Sequence, residues 1–196
     1  MSKYWNKYYS KTHIRKPSNF AKFCVKYFKP KTTILELGCG NGRDSIFFYN
    51  KKFKVVGIDS SLVIDTLPFS IGLTFLRRDF TKLPDCLVEN VYSRFSLHSV
   101  SKRDETRVLK WVYRNLLDGV FCIEVRSVND EYYGKGKKVG KDAYIDTHYR
   151  RFIRKERLEE SLKKTGFKII YSKEARDFAP FKKENPSIIR IIAKKD

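Results

Sequence analysis

The chain has 196 residues, of which 41% are hydrophobic, and its 42 lysines and arginines outnumber its 22 aspartates and glutamates to give a formal net charge of +20. These values predict a single globular domain with a core of ordinary size, and no apolar run is long enough to span a bilayer or to act as a signal peptide. The charge favours a polyanionic partner such as nucleic acid, a phosphorylated substrate or an anionic surface. Because the lysines are spread along the whole chain, a purely compositional origin of the charge stays open.

The predicted elements alternate between helix and strand through the first two thirds of the chain. Apolar runs predict five strands, at residues 33–37, 53–58, 72–77, 87–95 and 120–125. Helical periodicity predicts helices at residues 17–28, 44–51 and 102–117. This alternation is typical of a parallel sheet with helices on both faces.

The last third of the chain has a different pattern. Residues 127–151 are polar and punctuated by glycines, which is typical of a functional loop and predicts a substrate loop. A helix at 158–165 is followed by two strands, at 167–171 and 187–193, with no helix between them, so the two strands are expected to form an antiparallel edge hairpin. The predicted fold class is therefore α/β: a Rossmann-like, doubly wound sheet of seven strands, mostly parallel, in one domain over residues 1–196.

The four cysteines predict neither a metal site nor a disulfide framework. Their spacing contains no C-x-x-C pair; they are Cys24, Cys39, Cys86 and Cys122. A reducing compartment, the cytoplasm, is therefore the expected location, and no metal is expected.

A glycine-rich turn follows the first predicted strand, where residues 34–45 read ILELGCGNGRDS. Alternating glycines let the backbone turn sharply and let a ligand approach closely. The dinucleotide fingerprint needs glycine at position 43, where Arg43 stands, and the P-loop signature is absent. What remains is an acid, Glu36, followed by glycines at 38, 40 and 42, a pattern that suits a cationic or zwitterionic ligand.

On the basis of this turn, the chain resembles the class I S-adenosylmethionine-dependent methyltransferases, and the resemblance extends over nearly its whole length. The resemblance implies S-adenosylmethionine as cofactor and S-adenosylhomocysteine as product. It implies that the turn holds the methionine part of the cofactor through Glu36, Gly38, Cys39, Gly40, Asn41 and Gly42. It also implies that the ribose, the adenine and the reacting end are held after the next three strands, by Asp59 with Ser60, by Asp79 and Phe80, and by Ser93, Arg94 and Phe95. In residues 1–30, an aromatic segment that includes Tyr9 resembles the lid that closes over the cofactor.

Three residues are candidates for the general base that an oxygen acceptor of high pKa needs. His98 follows the fourth strand, Glu124 lies near the end of the fifth, and His148 precedes the last helix. Each has a structural alternative: a helix start, a cap for a neighbour, or a loop hydrogen bond. His13 is expected to play no part in the chemistry.

Two basic clusters predict contacts with an anionic acceptor, because lysines beside glycines and paired arginines can grip a phosphate. The candidate substrate-binding residues are Lys135, Lys137, Tyr149, Arg150 and Arg151. The alternative is a solvated charged loop.

The acceptor prediction depends on a finer resemblance, to methyltransferases of bacterial polysaccharide-assembly clusters and of some large DNA viruses. Residues 92–98, 134–136 and 148–152 carry it. It implies O-methylation of a sugar or nucleotide-sugar hydroxyl in the cytoplasm, or in the host cytoplasm for a viral protein. An RNA, cap or other nucleic-acid methyltransferase is the alternative that the charge favours, although the signatures of base-methylating enzymes are missing. A cofactor-binding subunit without activity is disfavoured by the intact Glu36, Asp59 and Asp79.

Overall fold

The computed structural model of the chain describes residues 2–11, 16–181 and 184–195. The helices are α1 (Ser2–Lys11), α2 (Asn19–Cys24), α3 (Arg43–Asn50), α4 (Lys102–Asn115) and α5 (Lys155–Thr165). The strands are β1 (Thr33–Leu37), β2 (Lys54–Asp59), β3 (Leu73–Arg77), β4 (Asn90–Arg94), β5 (Val120–Arg126), β6 (Lys137–Gly140), β7 (Ala143–Ile145), β8 (Tyr149–Arg151), β9 (Phe167–Ala175) and β10 (Ile188–Lys195). Short 3-10 helices follow α2, β2, β3 and β4 (Val25–Tyr27, Leu62–Thr66, Phe80–Lys82 and Leu97–Ser99).

Seven of these strands form one sheet in the order β3-β2-β1-β4-β5-β10-β9. Strands β1 to β5 are parallel, and β10 runs antiparallel to both β5 and β9. The predicted seven-stranded, mostly parallel sheet with an antiparallel C-terminal pair is confirmed. The strand order reverses between β1 and β4, and in such sheets ligands bind at the carboxyl ends of the strands beside that point.

Helices cover both faces of the sheet. One face packs against α2 and α3 around Phe20, Phe48 and Tyr92, and the other packs against α4 and α5 around Leu109 and Leu158. The connections from β2 to β3 and from β3 to β4 contain only 3-10 turns, so the α-helical layer is thinner beside that edge of the sheet.

One buried acid connects the N-terminal ends of α2 and α3. Asp44, in the first turn of α3, accepts hydrogen bonds from the Ser18 backbone N–H (2.7 Å), the Ser18 hydroxyl (2.7 Å) and the Tyr92 hydroxyl (2.9 Å). Ser18 in turn caps α2, because its Oγ accepts the Ala21 N–H at 2.9 Å. This network fixes the start of α3, directly after the glycine turn, against β4.

The prediction that residues 127–151 form an irregular substrate loop is only partly correct. Its second half folds into a three-stranded antiparallel sheet in the order β6-β7-β8. No apolar alternation marks β6, because all four of its residues are exposed. The small sheet is fixed instead by Tyr144 and Phe152, whose rings pack against Tyr133. It lies beside the 3-10 helix that follows β4, close to the carboxyl ends of the large sheet.

Candidate active site

The glycine turn after β1 is held against the ends of two other strands. The N–H groups of Gly38 and Cys39 both donate to the Ile58 carbonyl, at 2.7 and 3.0 Å. Gly38 has φ +74°, and a Cβ there would lie 2.7 Å from the Ser96 Cβ; at Gly40, with φ +53°, a Cβ would lie 2.1 Å from the Tyr9 hydroxyl. A side chain is thus excluded at positions 38 and 40, where Ser96 and Tyr9 lie directly against the backbone of the turn.

Alanine at position 38 is expected to lower the free energy of unfolding by about 1–2 kcal/mol, since a Cβ is strained at this positive φ and would also press on Ser96. Chemical denaturation monitored by circular dichroism measures this change. Gly134→Ala is the matched control for the added methyl group: Gly134 also has a positive φ, +84°, but its Cβ would meet nothing within 4 Å. Equal losses in the two variants would mean that the contact with Ser96 contributes nothing.

Two carboxylates lie at the ends of the neighbouring strands, as the sequence predicts. Asp59, at the end of β2, accepts the Gly40 N–H at 2.9 Å and the Ser61 N–H at 2.8 Å, so it joins the glycine turn to the chain beyond β2. Asp79, exposed after β3, accepts the Thr81 N–H and hydroxyl at 2.9 and 2.7 Å. Phe80 is half-buried against the core, and Ser60 is exposed.

Glu36 is buried in β1 beneath the turn and accepts a hydrogen bond from the Ser45 hydroxyl at 2.5 Å. Burial raises the pKa of Glu36 to about 8, and the nearby Asp44 carboxylate adds to the rise. An acid whose pKa is higher in the folded than in the unfolded chain binds more protons when folded, so its stabilising effect is lost as pH rises.

As the pH rises from about 4.5 to about 8, the free energy of unfolding is therefore expected to fall, and ionisation of Glu36 should cause part of this fall. Glu36→Gln keeps the shape of the side chain but cannot ionise, so the decline should flatten in this variant. Urea denaturation at half-unit pH steps measures both curves. Parallel curves for the two proteins would show that Glu36 does not titrate in this range.

Helix α1 lies over the glycine turn and is tied to the chain beyond β2. The Leu62 N–H donates to the Asn6 Oδ1 at 2.8 Å, and Tyr9 packs on Gly40. Burial raises the pKa of the Tyr9 phenol, and the Asp59 charge adds to the effect, so Tyr9 stays a neutral hydroxyl. The same helix carries Tyr4 and Trp5, which contact His148 with ring centres 4.4 and 5.1 Å apart.

The end of β4 carries a strained aromatic residue. Phe95 has φ +55°, a conformation that bulky side chains rarely adopt and that is often found at functional sites. The Arg94 guanidinium lies 4.3 Å from the centre of its ring. Ser93 is buried, and its hydroxyl is hydrogen-bonded to that of Ser96 at 2.6 Å.

Glu124 is completely buried between two arginines. Its Oε1 lies 2.8 Å from the Arg94 Nε, and its Oε2 accepts a hydrogen bond from the Arg190 Nε at 2.7 Å. Both oxygens therefore face guanidinium groups, an arrangement that positions Arg94 under Phe95.

The two candidate histidines lie near one another, and both are neutral at pH 7. The Nδ1 of buried His98 accepts the Arg126 backbone N–H at 3.2 Å, so the proton is on Nε2. Burial lowers the pKa of His98 well below its usual value, with the charges of Arg150 and Arg126 adding to the shift. His148 accepts a hydrogen bond from Arg150 at its Nε2 (3.1 Å), and burial together with that guanidinium lowers its pKa to about 4. His13 lies outside the described residues.

The predicted substrate-binding residues separate into two groups. Arg150 faces the histidines, with its guanidinium carbon 5.8 Å from the Tyr132 ring centre. Arg151 turns the other way: it is buried, bonds the carbonyls of Leu97 and Val100 at 3.2 Å, and pairs with Glu105. The remaining three are peripheral, since Lys135 and Lys137 are exposed and Tyr149 is half-buried.

Several residues of this region belong to no recognisable motif, and the sequence analysis did not predict them as site residues. Arg126, at the end of β5, lies between the Phe95 ring (6.0 Å) and the Tyr132 ring (5.4 Å). Its guanidinium pairs with Asp130 at 3.1 Å and with Glu184 at 2.7 Å. A basic residue at the end of a predicted strand was the available signal. Arg126 thus links Phe95 to Tyr132.

Among the described residues there is no cluster of three or more histidine, cysteine, aspartate or glutamate side chains that could hold a metal. Within the same residues, no helix is long and apolar enough to cross a membrane. All four cysteines are free thiols, and three of them are buried.

Comparison with known proteins gives consistent matches. A family model described as a methyltransferase domain matches residues 8–172. Over 130 residues the chain is 31% identical to the eEF1A lysine and N-terminal methyltransferase of Mus musculus, a match that covers 59% of this chain and 19% of that protein. The chain thus spans about a fifth of that relative's length.

Solved structures share the fold at low identity. A methyltransferase of Methanosarcina mazei that depends on S-adenosylmethionine superposes with a TM-score of 0.75 at 19% identity, over 88% of this chain and 96% of that one. The 1,6-didemethyltoxoflavin-N1-methyltransferase of Burkholderia thailandensis, solved with 1,6-didemethyltoxoflavin and S-adenosylhomocysteine bound, gives a TM-score of 0.71 at 20% identity, over 91% of this chain and 77% of that one.

Proposed function

The chain belongs to the class I S-adenosylmethionine-dependent methyltransferases, and from that premise we propose that it methylates a hydroxyl oxygen of an anionic small molecule, such as a sugar or nucleotide sugar. The methyl donor is S-adenosylmethionine. The observation that carries the acceptor proposal is the half-buried guanidinium of Arg150, which lies beside His148 and has no ion-pair partner among the described residues. A cytoplasmic location stays part of the proposal.

The residues at the strand ends fit the cofactor. The turn has glycines where a Cβ would collide, Tyr9 of α1 packs over it, and carboxylates lie at the ends of the two adjacent strands. We assign the methionine part to the Gly38–Gly42 turn, the ribose to Asp59 and the adenine to Asp79 and Phe80. When bound, the cofactor supplies an electrophilic methyl group on a sulfonium. The chain's task is to align the acceptor with that methyl group and to exclude water.

Arg150 differs from the other arginines that are removed from solvent. Each of the others among the described residues has a carboxylate oxygen at 3.8 Å or less; they are Arg43, Arg94, Arg126, Arg151 and Arg190. Arg150 has no ion-pair partner in that part of the chain. The charges of Asp130 and Glu184 act on it, but both carboxylates pair with Arg126. Its buried Nε, like that of Arg94, makes no hydrogen bond there. A half-buried guanidinium that has no anion of its own is costly, so an acceptor with a phosphate or carboxylate group would complete it.

The contact between α1 and the residues around Arg150 favours a small acceptor. Helix α1 covers one side through Tyr4 and Trp5, and the small sheet covers another through His148 and Arg150. An open groove for a duplex or a long polymer would need these elements to separate.

The same geometry divides the roles of the acid–base candidates. Since the Nδ1 of His98 is taken by the Arg126 backbone, we assign His98 to orienting the acceptor through its Nε2–H. His148 is the group that receives the hydroxyl proton. An anion at Arg150 would compete for the guanidinium that now bonds the His148 Nε2, and would offset the charge that lowers its pKa. Glu124 lies between Arg94 and Arg190, and we assign it the role of positioning Arg94.

A protein acceptor is the second candidate, favoured by the 31% identity to a lysine and N-terminal methyltransferase. A nucleic-acid acceptor is favoured only by the net charge of +20.

Transfer of a labelled methyl group from S-adenosylmethionine, measured in parallel on nucleotide sugars, capped RNA and lysine-containing peptides, tests the proposal. Turnover on a nucleotide sugar or another small anion supports it. Turnover restricted to peptide or RNA contradicts the acceptor class while leaving the methyltransferase assignment intact.

A further inference from the structure

The edge of the sheet opposite the candidate active site exposes large apolar side chains. Strands β1 to β5 begin at this edge, and four large apolar residues lie just before β3, β4 and β5: Phe69 (77% exposed), Ile71 (96%), Leu87 (73%) and Leu117 (44%). We call this edge, with its exposed lysines described below, the amino-end face. Because ligands of such sheets bind at the carboxyl ends, the methyltransferase proposal does not explain these residues.

The two most exposed of these side chains are presented by a tight, hydrogen-bonded turn. The N–H of Ser70 donates to the carbonyl of Leu73 at 3.1 Å, and the N–H of Leu73 donates back to Ser70 at 2.8 Å, which places Ile71 at the apex. The Gly72 carbonyl also accepts the Val55 N–H at 2.8 Å, so the turn is anchored to β2. These hydrogen bonds therefore keep Ile71 exposed at the apex of the turn.

Exposed lysines surround these apolar residues on the same face: Lys31, Lys52, Lys54, Lys168 and Lys194. None of the five has a carboxylate partner among the described residues. Of the acids just before β4 and β5, Asp85 pairs with Arg114 and Asp118 with Lys29, while Glu89 accepts the Thr33 N–H at 2.7 Å. The face thus combines protruding apolar groups with five lysines that have no ion-pair partner among the described residues.

Two of these lysines are neighbours across strands. Lys168 of β9 and Lys194 of β10 are direct partners in the antiparallel register. Like charges directly opposite each other destabilise a sheet, and an anionic surface would relieve that repulsion.

We propose that the amino-end face binds the surface of an anionic lipid bilayer. Phe69 and Ile71 enter the headgroup region, and the lysines pair with lipid phosphates. A bilayer suits this face better than nucleic acid does, because the apolar residues are mostly aliphatic and cannot stack on bases, and the cations are lysines without the planar fork of arginine. Docked in this way, the chain would turn its candidate active site away from the membrane.

Co-sedimentation of the full chain with vesicles tests this proposal, using phosphatidylcholine alone or mixed with phosphatidylglycerol. Binding is expected only to the anionic vesicles and should weaken in high salt. Lys52→Gln with Lys54→Gln should lower the partition coefficient about twenty-five-fold, at roughly fivefold per lysine. Phe69→Ser with Ile71→Ser should lower it by about tenfold or more.

The control variants make comparable changes at the other end of the molecule: two cations become glutamine, and two apolar residues become serine. Arg103→Gln with Lys173→Gln, and Val139→Ser with Ile145→Ser, alter residues that are also exposed and should bind vesicles like the wild type. Unchanged melting temperatures would show that all variants are folded. The proposal is overturned if the wild type ignores anionic vesicles or if the face variants bind like their controls. It is also overturned if the lysine variants lose affinity for an RNA oligonucleotide while vesicle binding is unchanged.

Discussion

The variants Arg150→Gln and Arg151→Gln are expected to differ strongly in the free energy of unfolding, although the two residues are adjacent. Removing Arg151 leaves the Glu105 carboxylate buried with only Lys102 beside it, and breaking a buried ion pair costs about 3–5 kcal/mol. Because Lys102 remains, we expect a loss of about 3 kcal/mol in the free energy of unfolding. Removing Arg150 breaks no ion pair among the described residues and should leave the protein equally or more stable.

The comparison of these two variants also distinguishes an effect on stability from an effect on acceptor binding. Loss of a charged hydrogen bond is worth about 1.5–3 kcal/mol, so Arg150→Gln should raise the KM for an anionic acceptor about tenfold to a hundredfold. Its affinity for S-adenosylmethionine should not change. Urea denaturation and steady-state kinetics measure the two quantities. If Arg150→Gln unfolds the protein, or leaves the KM of every anionic acceptor unchanged, Arg150 is not the anchor of the acceptor.

Alanine at Asp59 is expected to weaken S-adenosylmethionine binding by about 2 kcal/mol, or roughly thirtyfold. Two effects contribute. A carboxylate placed to accept from vicinal hydroxyls is lost, and so are its bonds to the N–H groups of Gly40 and Ser61, which hold the turn against the end of β2. Isothermal titration calorimetry measures the change.

Asp65→Ala is the matched control for this measurement. Asp65 is an exposed acid a few residues further along, and its partner is Arg77 at 2.8 Å. Its removal should leave cofactor affinity within experimental error. An affinity for Asp59→Ala equal to that of the control would remove Asp59 from the cofactor site.

The parts of the fold that the sequence predicts are those fixed by short-range pattern. Strands β1 to β5 are dense apolar runs between helices, so their existence and parallel direction follow from periodicity. The turn at residues 38–42 is equally readable, because positive φ angles at alternate positions require glycine. The C-terminal pair was identified because no helix pattern separates β9 from β10.

What escaped prediction depends on long-range partners. β6 has no buried residue, so its pairing with β7 leaves no trace in the pattern of residues. Arg150 and Arg151 are identical side chains in one short strand, and only the strand's alternation sends one toward His148 and the other toward Glu105. The local sequence around Glu124 likewise gives no sign that arginines from β4 and β10 flank it on both sides.

We propose that the turn between β1 and α3, together with the acids at the ends of β2 and β3, binds an adenosyl sulfonium. Calorimetric titration of the purified chain with S-adenosylhomocysteine is its most direct test. We expect saturable binding of one nucleoside per chain, and the Asp59 substitution should weaken it. Absence of binding at millimolar nucleoside, in a chain shown to be folded, would contradict it.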